Sequence, residues 1–407
     1  MSRFLLAWEL GSNLGHLGGL VPLAQVLRGR GHEVTLVAKD LSGVANVTGL
    51  GEFCVLQAPV WLKFDNAPEP PQSYADILAR FGYAHPAELG GMVKAWCGLF
   101  ALVNPDLIVA EHAPTALLAA RAAALPRVTY GTGFFLPPRV HPLPNMRPWL
   151  DVPPARLLAC EDKVLASVNH VLSTLRADPL TVLADLLATD ADFLMTFREL
   201  DHYRNRHDGD YLGVISSEGA GREPAWPAGT GKKIFAYLHG DYRDLEKMLS
   251  ALGGADVRTI VYAPGIAPHI LQKFQSSRLA FVSEPLALSA VAPQCDLAIC
   301  HGGTATAVAF LRAGCPLLLL PKHLEQYLFS MQVEGMGAGL LINPDVPDTD
   351  IAGVLRRLLK ESSFKARALD FADRYADFDP ARVLRDVVTR CEDIITESRH
   401  AKGAAGK

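Results

Sequence analysis

The sequence predicts an α/β protein made of two alternating strand–helix halves joined by a linker. Three observations carry this. Short apolar runs bounded by glycine alternate with stretches of helical periodicity along almost the whole chain. The length of 407 residues exceeds one ordinary core and suits two domains of about 150–200 residues each. A stretch rich in Gly, Pro and polar residues, 216–232, falls near the middle.

Arg3–Glu9 (RFLLAWE) reads as a buried parallel strand, and LGSNLGHLGG after it as a glycine-rich turn. From Leu20 to Arg30 the apolar residues Leu20, Leu23 and Leu27 recur at helical spacing until Gly31 stops the helix. His32–Lys39 is the second strand. Such a strand–helix–strand unit requires a parallel sheet with helices on its faces. Further strands are expected at Phe53–Ala58, Asp106–Ala110 and Arg127–Tyr130, which makes the first half Rossmann-like. Two segments interrupt it with prolines and large aromatic groups, Trp61–Tyr83 and Phe134–Trp149. Long structureless insertions of this kind are either surface loops or functional ones.

Lys233–Gly240 opens a second half of the same rhythm, with strands expected at Arg258–Tyr262, Leu279–Val282, Leu297–Cys300 and Leu317–Leu320. Pro380–Ile395 carries Val383, Val387 and Ile394 on one helical face, and HAKGAAGK at the end is expected to be disordered. The predicted organisation is a first domain over 1–215, a linker over 216–232 and a second domain over 233–375. A helix over 376–397 packs back on the first domain, and 398–407 form a disordered tail. Ligand sites in such folds lie at the C-terminal ends of the strands, here in a cleft between the domains.

Hydrophobic residues make up 49% and charged residues 20%, the balance of a folded enzyme rather than a disordered chain. A net charge of -4 gives no reason to expect nucleic acid. The seven cysteines are scattered without a C-x-x-C pair, which reads as reduced thiols in a cytoplasmic protein. No apolar run reaches the roughly 18–20 residues that span a bilayer, although peripheral membrane contact stays open.

The most informative stretch is Cys295–Gln326. A strand at Leu297–Cys300 leads into the turn His301-Gly302-Gly303, and Thr304 to Ala313 then reads as a helix ended by Gly314. A glycine turn feeding a helix N-terminus is an anion site, because free N–H groups and the helix dipole face one point. Thr304 and Thr306 add hydroxyls, and His301 adds an imidazole. The same letters also fit a plain strand–turn–helix with a capping Thr. Glu325 and Gln326 suit bidentate recognition of sugar hydroxyls or a solvated face. In the first half, His16 follows the first strand at the start of the first helix, and by itself fits a turn cap as well as a base.

Taken together, these residues resemble the family 1 glycosyltransferases, whose second domain carries a proline, then sixteen residues on His-Gly-Gly, then Gly-x-Pro, then Pro-x-x-x-(Asp/Glu)-Gln. This chain has Pro285, His301-Gly302-Gly303, Gly314-Cys315-Pro316 and Pro321-x-x-x-Glu325-Gln326. The first-half loop of that family carries Gly-His with Leu-Ala seven and eight residues on, here Gly15-His16 and Leu23-Ala24. The resemblance covers nearly the whole chain. It implies the GT-B fold, two Rossmann-like domains facing across a cleft, and an enzyme that moves a hexose from a nucleotide diphosphate sugar to a hydroxyl of a small or lipidic acceptor. It implies His16 as general base with Glu111, at the end of the Asp106–Ala110 strand, as its acidic partner. Gly240, Pro285, His301, Gly302, Gly303, Thr304 and Thr306 would bind the donor, with Glu325 and Gln326 on the sugar. Trp61, Phe64 and Phe134 in the aromatic loops would bind the acceptor. No required metal or other cofactor is expected, and the helix near Thr304 would stabilise the leaving charge.

The family pattern breaks at four places. The Glu that holds the donor ribose is Ala309, the Trp that stacks the base is Ser283, the Trp after His-Gly-Gly is Thr304, and the Pro after the base is Gly19. UDP and dTDP therefore both stay open, and the pattern is nearer to bacterial members that modify antibiotics, lipids or other natural products. Two rivals remain: another GT-B enzyme, such as a sugar-nucleotide epimerase or a lipid-intermediate transferase, and a non-catalytic sugar-nucleotide-binding scaffold.

Overall fold

The computed structural model describes residues 1–12, 15–63, 69–204, 206–216 and 221–405. They form two units, Met1–Thr196 with Tyr203–Ser217 and Pro380–Lys407, and Phe197–His202 with Glu218–Asp379. The first contains six parallel strands: β1 (Arg3–Trp8), β2 (Glu33–Ala38), β3 (Cys54–Gln57), β4 (Leu107–Glu111), β5 (Arg127–Gly131) and β6 (Ala191–Leu194). The second contains β7 (Lys232–Tyr237), β8 (Val257–Tyr262), β9 (Leu279–Val282), β10 (Leu297–Cys300), β11 (Leu317–Leu319) and β12 (Gly339–Leu341), also parallel.

The strand order is β3-β2-β1-β4-β5-β6 in one unit and β12-β11-β10-β7-β8-β9 in the other. Read in chain order both are the doubly wound 3-2-1-4-5-6 arrangement, whose switch points lie beside β1 and β4 and beside β7 and β10. The central strands are continuous apolar runs because helices cover both faces. Phe4, Leu5, Leu6, Ile108 and Val109 are fully buried in the first sheet, as are Ile234, Val261, Ile299 and Leu318 in the second. Two short strands, β6 and β12, carry too little pattern to stand out in the sequence. Among the described residues no helix is long and apolar enough to cross a membrane.

Several boundaries move. The first helix begins at Gly15 and not at Leu20, so the glycine-rich turn is helical from Gly15 onward. Tyr74–Leu78 is helical within the segment read as a structureless insertion, and Ala79–Tyr83 continues it across a kink at Phe81 and Gly82. Asp76 turns the chain into them, its Oδ2 accepting from the N–H groups of Gln72 (2.9 Å) and Ser73 (3.0 Å). The first domain does not run unbroken to 215. Phe197–His202 belongs to the second unit, because the Phe197 ring packs 4.2 Å from Tyr375 and 5.2 Å from Phe378. Part of the expected linker also packs there, with the Arg222 N–H on the Pro285 carbonyl at 3.2 Å.

Residues 398–405 of the expected disordered tail are instead the end of one helix, Pro380–Ala405, and 406–407 lie outside the described residues. Extending an existing helix costs no new nucleus, and Ala401, Ala404 and Ala405 favour it. This helix lies on the first unit. Arg30 bonds Glu392 at 2.7 Å, His32 Nε2 meets Glu392 at 2.9 Å, and Arg399 reaches Asp106 at 3.0 Å. Asp106 also caps β1 through the Arg3 N–H at 2.8 Å, a structural role at the N-terminal end of β4.

Val388 on this helix is fully buried. Val388→Asp is expected to destabilise the fold by about 3 kcal/mol or more, because the carboxylate gains no partner. Thermal unfolding should show a loss of roughly 6–10 °C; an unchanged transition would mean that the helix is not docked.

Candidate active site

In the first unit, the register of β1 against β4 places Trp8 opposite Glu111. Glu111 therefore ends its strand beside the loop that follows β1, at the carboxyl edge of the sheet. The helix Gly15–Gly29 brings His16 to the same point in its first turn. His16 Nδ1 lies 2.7 Å from Glu111 Oε1 and 2.8 Å from Oε2. The extra methylene of Glu, relative to Asp, does not spoil the pairing. A carboxylate can only accept, so Nδ1 carries the proton and the lone pair stands on Nε2. The Trp8 indole stacks on the imidazole, centroids 5.1 Å apart and planes within 18°, and its own N–H donates to the Leu10 carbonyl at 2.6 Å.

Gly11 makes this arrangement possible. Its φ is +87°, and a β-carbon there would strike the His16 ring, with Cε1 at 2.8 Å. Lys39 Nζ holds the Gly11 carbonyl at 2.5 Å. Beneath it, buried Glu9 accepts from the N–H groups of Thr115 (2.9 Å) and Ala116 (3.3 Å), capping the helix Pro114–Ala122. Burial pushes the Glu9 carboxyl up to about 7 against these hydrogen bonds, which lower it.

Two of the three expected acceptor residues, Trp61 and Phe134, are among the described residues. Trp61 is pinned over Gly82 and stacks on His85 with centroids 6.2 Å apart. Phe64 lies outside the described residues. Phe134 is buried, and its neighbour Phe135 is the ring that reaches the site, 5.9 Å from His16 and 4.6 Å from His112. A pocket of about 470 Å3 opens just beyond, between Leu136–Val140 and Arg206–Asp210, but neither His16 nor Glu111 lines it.

In the second unit, the strand β10, the turn and the helix Thr304–Arg312 form as expected. Gly302 has φ +80°, and a β-carbon on it would meet Ser330 Oγ at 2.7 Å. Gly303 has open space on its β-carbon side and is the N-cap, so the first-turn N–H groups with Thr304 and Thr306 form an approachable anion cradle. The His301 ring is committed elsewhere. Its Nδ1 donates to the Leu320 carbonyl at 2.8 Å, and its Nε2 accepts from the His239 N–H at 2.9 Å. The imidazole is thus a neutral staple joining the ends of β7, β10 and β11, with both ring nitrogens engaged by backbone groups. Burial pushes its pKa down to about 4.

Gly240 is also explained by packing, since a β-carbon would enter the backbone of Gly265 and Ile266. Pro285 is exposed, its carbonyl taken by Arg222. Glu325 and Gln326 open the helix Leu324–Gly335, and Gln326 Oε1 accepts the Lys322 N–H at 2.9 Å. Sequence reasoning missed Lys322, whose ammonium sits 2.7 Å from Asp241; burial first, and then this cation, lower the pKa of His239. Its place one residue after Pro321 was the available signal.

Residues 249–393 match the family model for the erythromycin biosynthesis protein CIII-like C-terminal domain. A PGL/p-HBAD biosynthesis glycosyltransferase of Mycobacterium tuberculosis is 25% identical over 299 residues, covering 67% of this chain and 67% of that protein. The chain is a glycosyltransferase of the GT-B fold, similar to these enzymes. Solved structures agree on the fold of this enzyme. The spinosyn rhamnosyltransferase SpnG, complexed with spinosyn aglycone, superposes with a TM-score of 0.69 at 18% identity, covering 95% of this chain and 100% of that one. The glycosyltransferase VinC in complex with dTDP gives 0.69 at 17% identity, covering 97% and 100%.

Two outcomes follow from the geometry. Gly11→Ala is expected to displace the His16 ring and abolish turnover while circular dichroism stays native; full activity would show that the ring has room to move. His301 takes its proton later when folded than when unfolded. Its contribution is therefore complete above the ordinary value near 6.5 and is lost as pH falls toward about 4. Urea unfolding should show wild type losing up to about 3 kcal/mol more than His301→Gln across that window; parallel curves would contradict the neutral staple.

Proposed function

We propose that the enzyme moves a hexose from UDP- or dTDP-sugar to a hydroxyl of a small or lipidic acceptor in one inverting displacement. The observation that carries this is the His16–Glu111 pair at the switch point of the first sheet. It supplies a base whose tautomer is set by a buried carboxylate, as an acceptor hydroxyl of high pKa needs. As the oxygen attacks the anomeric carbon, Nε2 takes its proton and Glu111 stabilises the imidazolium. The diphosphate leaves toward the first turn of Thr304–Arg312, where backbone N–H groups and the helix dipole meet its charge. Lys322 exchanges Asp241 for the diphosphate, and Glu325 and Gln326 face the sugar hydroxyls. The dTDP held by VinC and the aglycone held by SpnG support a nucleotide donor and a small-molecule acceptor for this enzyme. No metal is assigned a role, since the helix end does that work.

Calorimetry with dTDP and UDP should give binding to one or both, weakened about tenfold by Lys322→Met. A donor and acceptor panel should then give transfer that survives EDTA. His16→Ala and Glu111→Gln should each lower kcat by about 10²–10⁴ with donor affinity intact. Binding without any transfer would favour the scaffold, and sugar conversion without acceptor would favour an epimerase. If neither nucleotide binds, the donor assignment fails.

A further inference from the structure

His112 stands beside the His16–Glu111 pair and has no part in the mechanism above. It follows Glu111 at the end of β4, with φ 45°, a left-handed conformation unfavourable for a residue with a β-carbon. The Leu10 N–H donates to its carbonyl at 2.9 Å and ties it to the loop after β1. Its ring lies flat on Phe135, planes within 10°, with the His16 centroid 6.2 Å away. The residue is only 6% exposed. Both ring nitrogens are buried, and neither meets a protein hydrogen-bond partner among the described residues.

Buried polar groups are nearly always paired, and an unpaired one in a native fold calls for a reason. Packing does not supply one here. Phe would stack on Phe135 without orphaned nitrogens, and Gly or Asn would accept the backbone angle at lower cost. Strain and an unsatisfied imidazole at one residue are the marks of a site held ready for a ligand. The direction is given by Gly11, where a β-carbon would touch both His16 Cε1 (2.8 Å) and His112 Nδ1 (3.4 Å). The two rings therefore border one point.

We propose that His112 is an acceptor-binding residue that donates a hydrogen bond to the acceptor hydroxyl oxygen and holds it against His16. This rests on the transferase reading of His16. The hydroxyl proton passes to His16 Nε2, the oxygen bonds the anomeric carbon, and the bond to the diphosphate breaks. His112 keeps its own proton throughout. Burial, then the nearby His16 and Lys39, push its pKa well below the usual histidine value, so it places no second positive charge beside the His16 imidazolium.

The test uses the full chain with 4-nitrophenol as acceptor and dTDP-glucose or UDP-glucose as donor. It compares His112→Gly, His112→Phe and His112→Asn. Gly relieves the backbone and removes the ring, Phe keeps the stack, and Asn takes the backbone angle and restores an N–H donor. The expected result is an acceptor KM raised about tenfold by Gly and Phe, an unchanged donor KM, and a substantial rescue by Asn. Wild-type constants in the Gly variant, or no difference between Phe and Asn, would overturn the proposal. Addition of 4-nitrophenol without donor should also shift the His112 ring nitrogen resonances. A shift without turnover keeps His112 as the hydroxyl ligand and counts against the donor assignment. If wild type shows neither transfer nor a shift, this proposal and the reading beneath it fall together.

Discussion

The pairing of β1 with β4 is the contact on which the first unit's chemistry depends. These strands are neighbours in space but are separated in the chain by two strands and their helices, and their register sets Trp8 opposite Glu111. A register slip of one residue would turn Glu111 from one face of the sheet to the other. With the register held, the carboxylate, the indole and the first turn of the first helix converge at the carboxyl edge. The sheet is parallel, so every β-strand end with a loop to spare faces that edge. Buried Glu9 and half-buried Lys39 then brace the loop, one from the helix below and one through the Gly11 carbonyl.

Three histidines show how partner and burial decide what an imidazole does. His16 has a carboxylate on Nδ1, which leaves the lone pair on Nε2 and stabilises a positive ring. His301 has a carbonyl on one nitrogen and a backbone N–H on the other, so its ring is spent holding three strand ends together. His112 is buried with neither. The residue type is the same in each case, and only the atoms opposite the ring nitrogens separate the three environments.

The second unit repeats the plan of the first with different chemistry at the edge. Its strands wind in the same order, and β10 stands to β7 as β4 stands to β1. There the glycine turn and the helix Thr304–Arg312 present backbone N–H groups in place of a side-chain dyad. Glycine serves two distinct ends in it. Gly302 supplies a positive φ, while Gly240 lets two loops pass backbone to backbone. A pattern match treats the two alike, but substitution at the second would fail on sterics rather than on loss of a ligand contact.

Much of the fold was legible because it rests on local periodicity. Apolar runs of strand length, helical spacing and glycine stops are written in consecutive residues, so ten of the twelve strands and the alternating order follow from them. The His-Gly-Gly turn and the Gly-His loop were legible as motifs at fixed spacing. Other features depend on groups far apart in the chain. Phe135 and not Phe134 reaches His16 because of how the loop after β5 turns, and Phe197 crosses to the second unit because three distant aromatics bury it. The C-terminal residues read as a tail because their composition is weak by itself; a helix already docked through Arg30 and Glu392 carries them on. The residues alone determined the fold class, a local property of side chains and their spacing, and the resemblance of their motifs to a family pointed to the kind of chemistry. Which imidazole meets a carboxylate, which is held by backbone groups at both nitrogens and which is buried beside an aromatic ring was decided only by the tertiary structure, because a hydrogen bond belongs to two groups and the chain order names only one at a time.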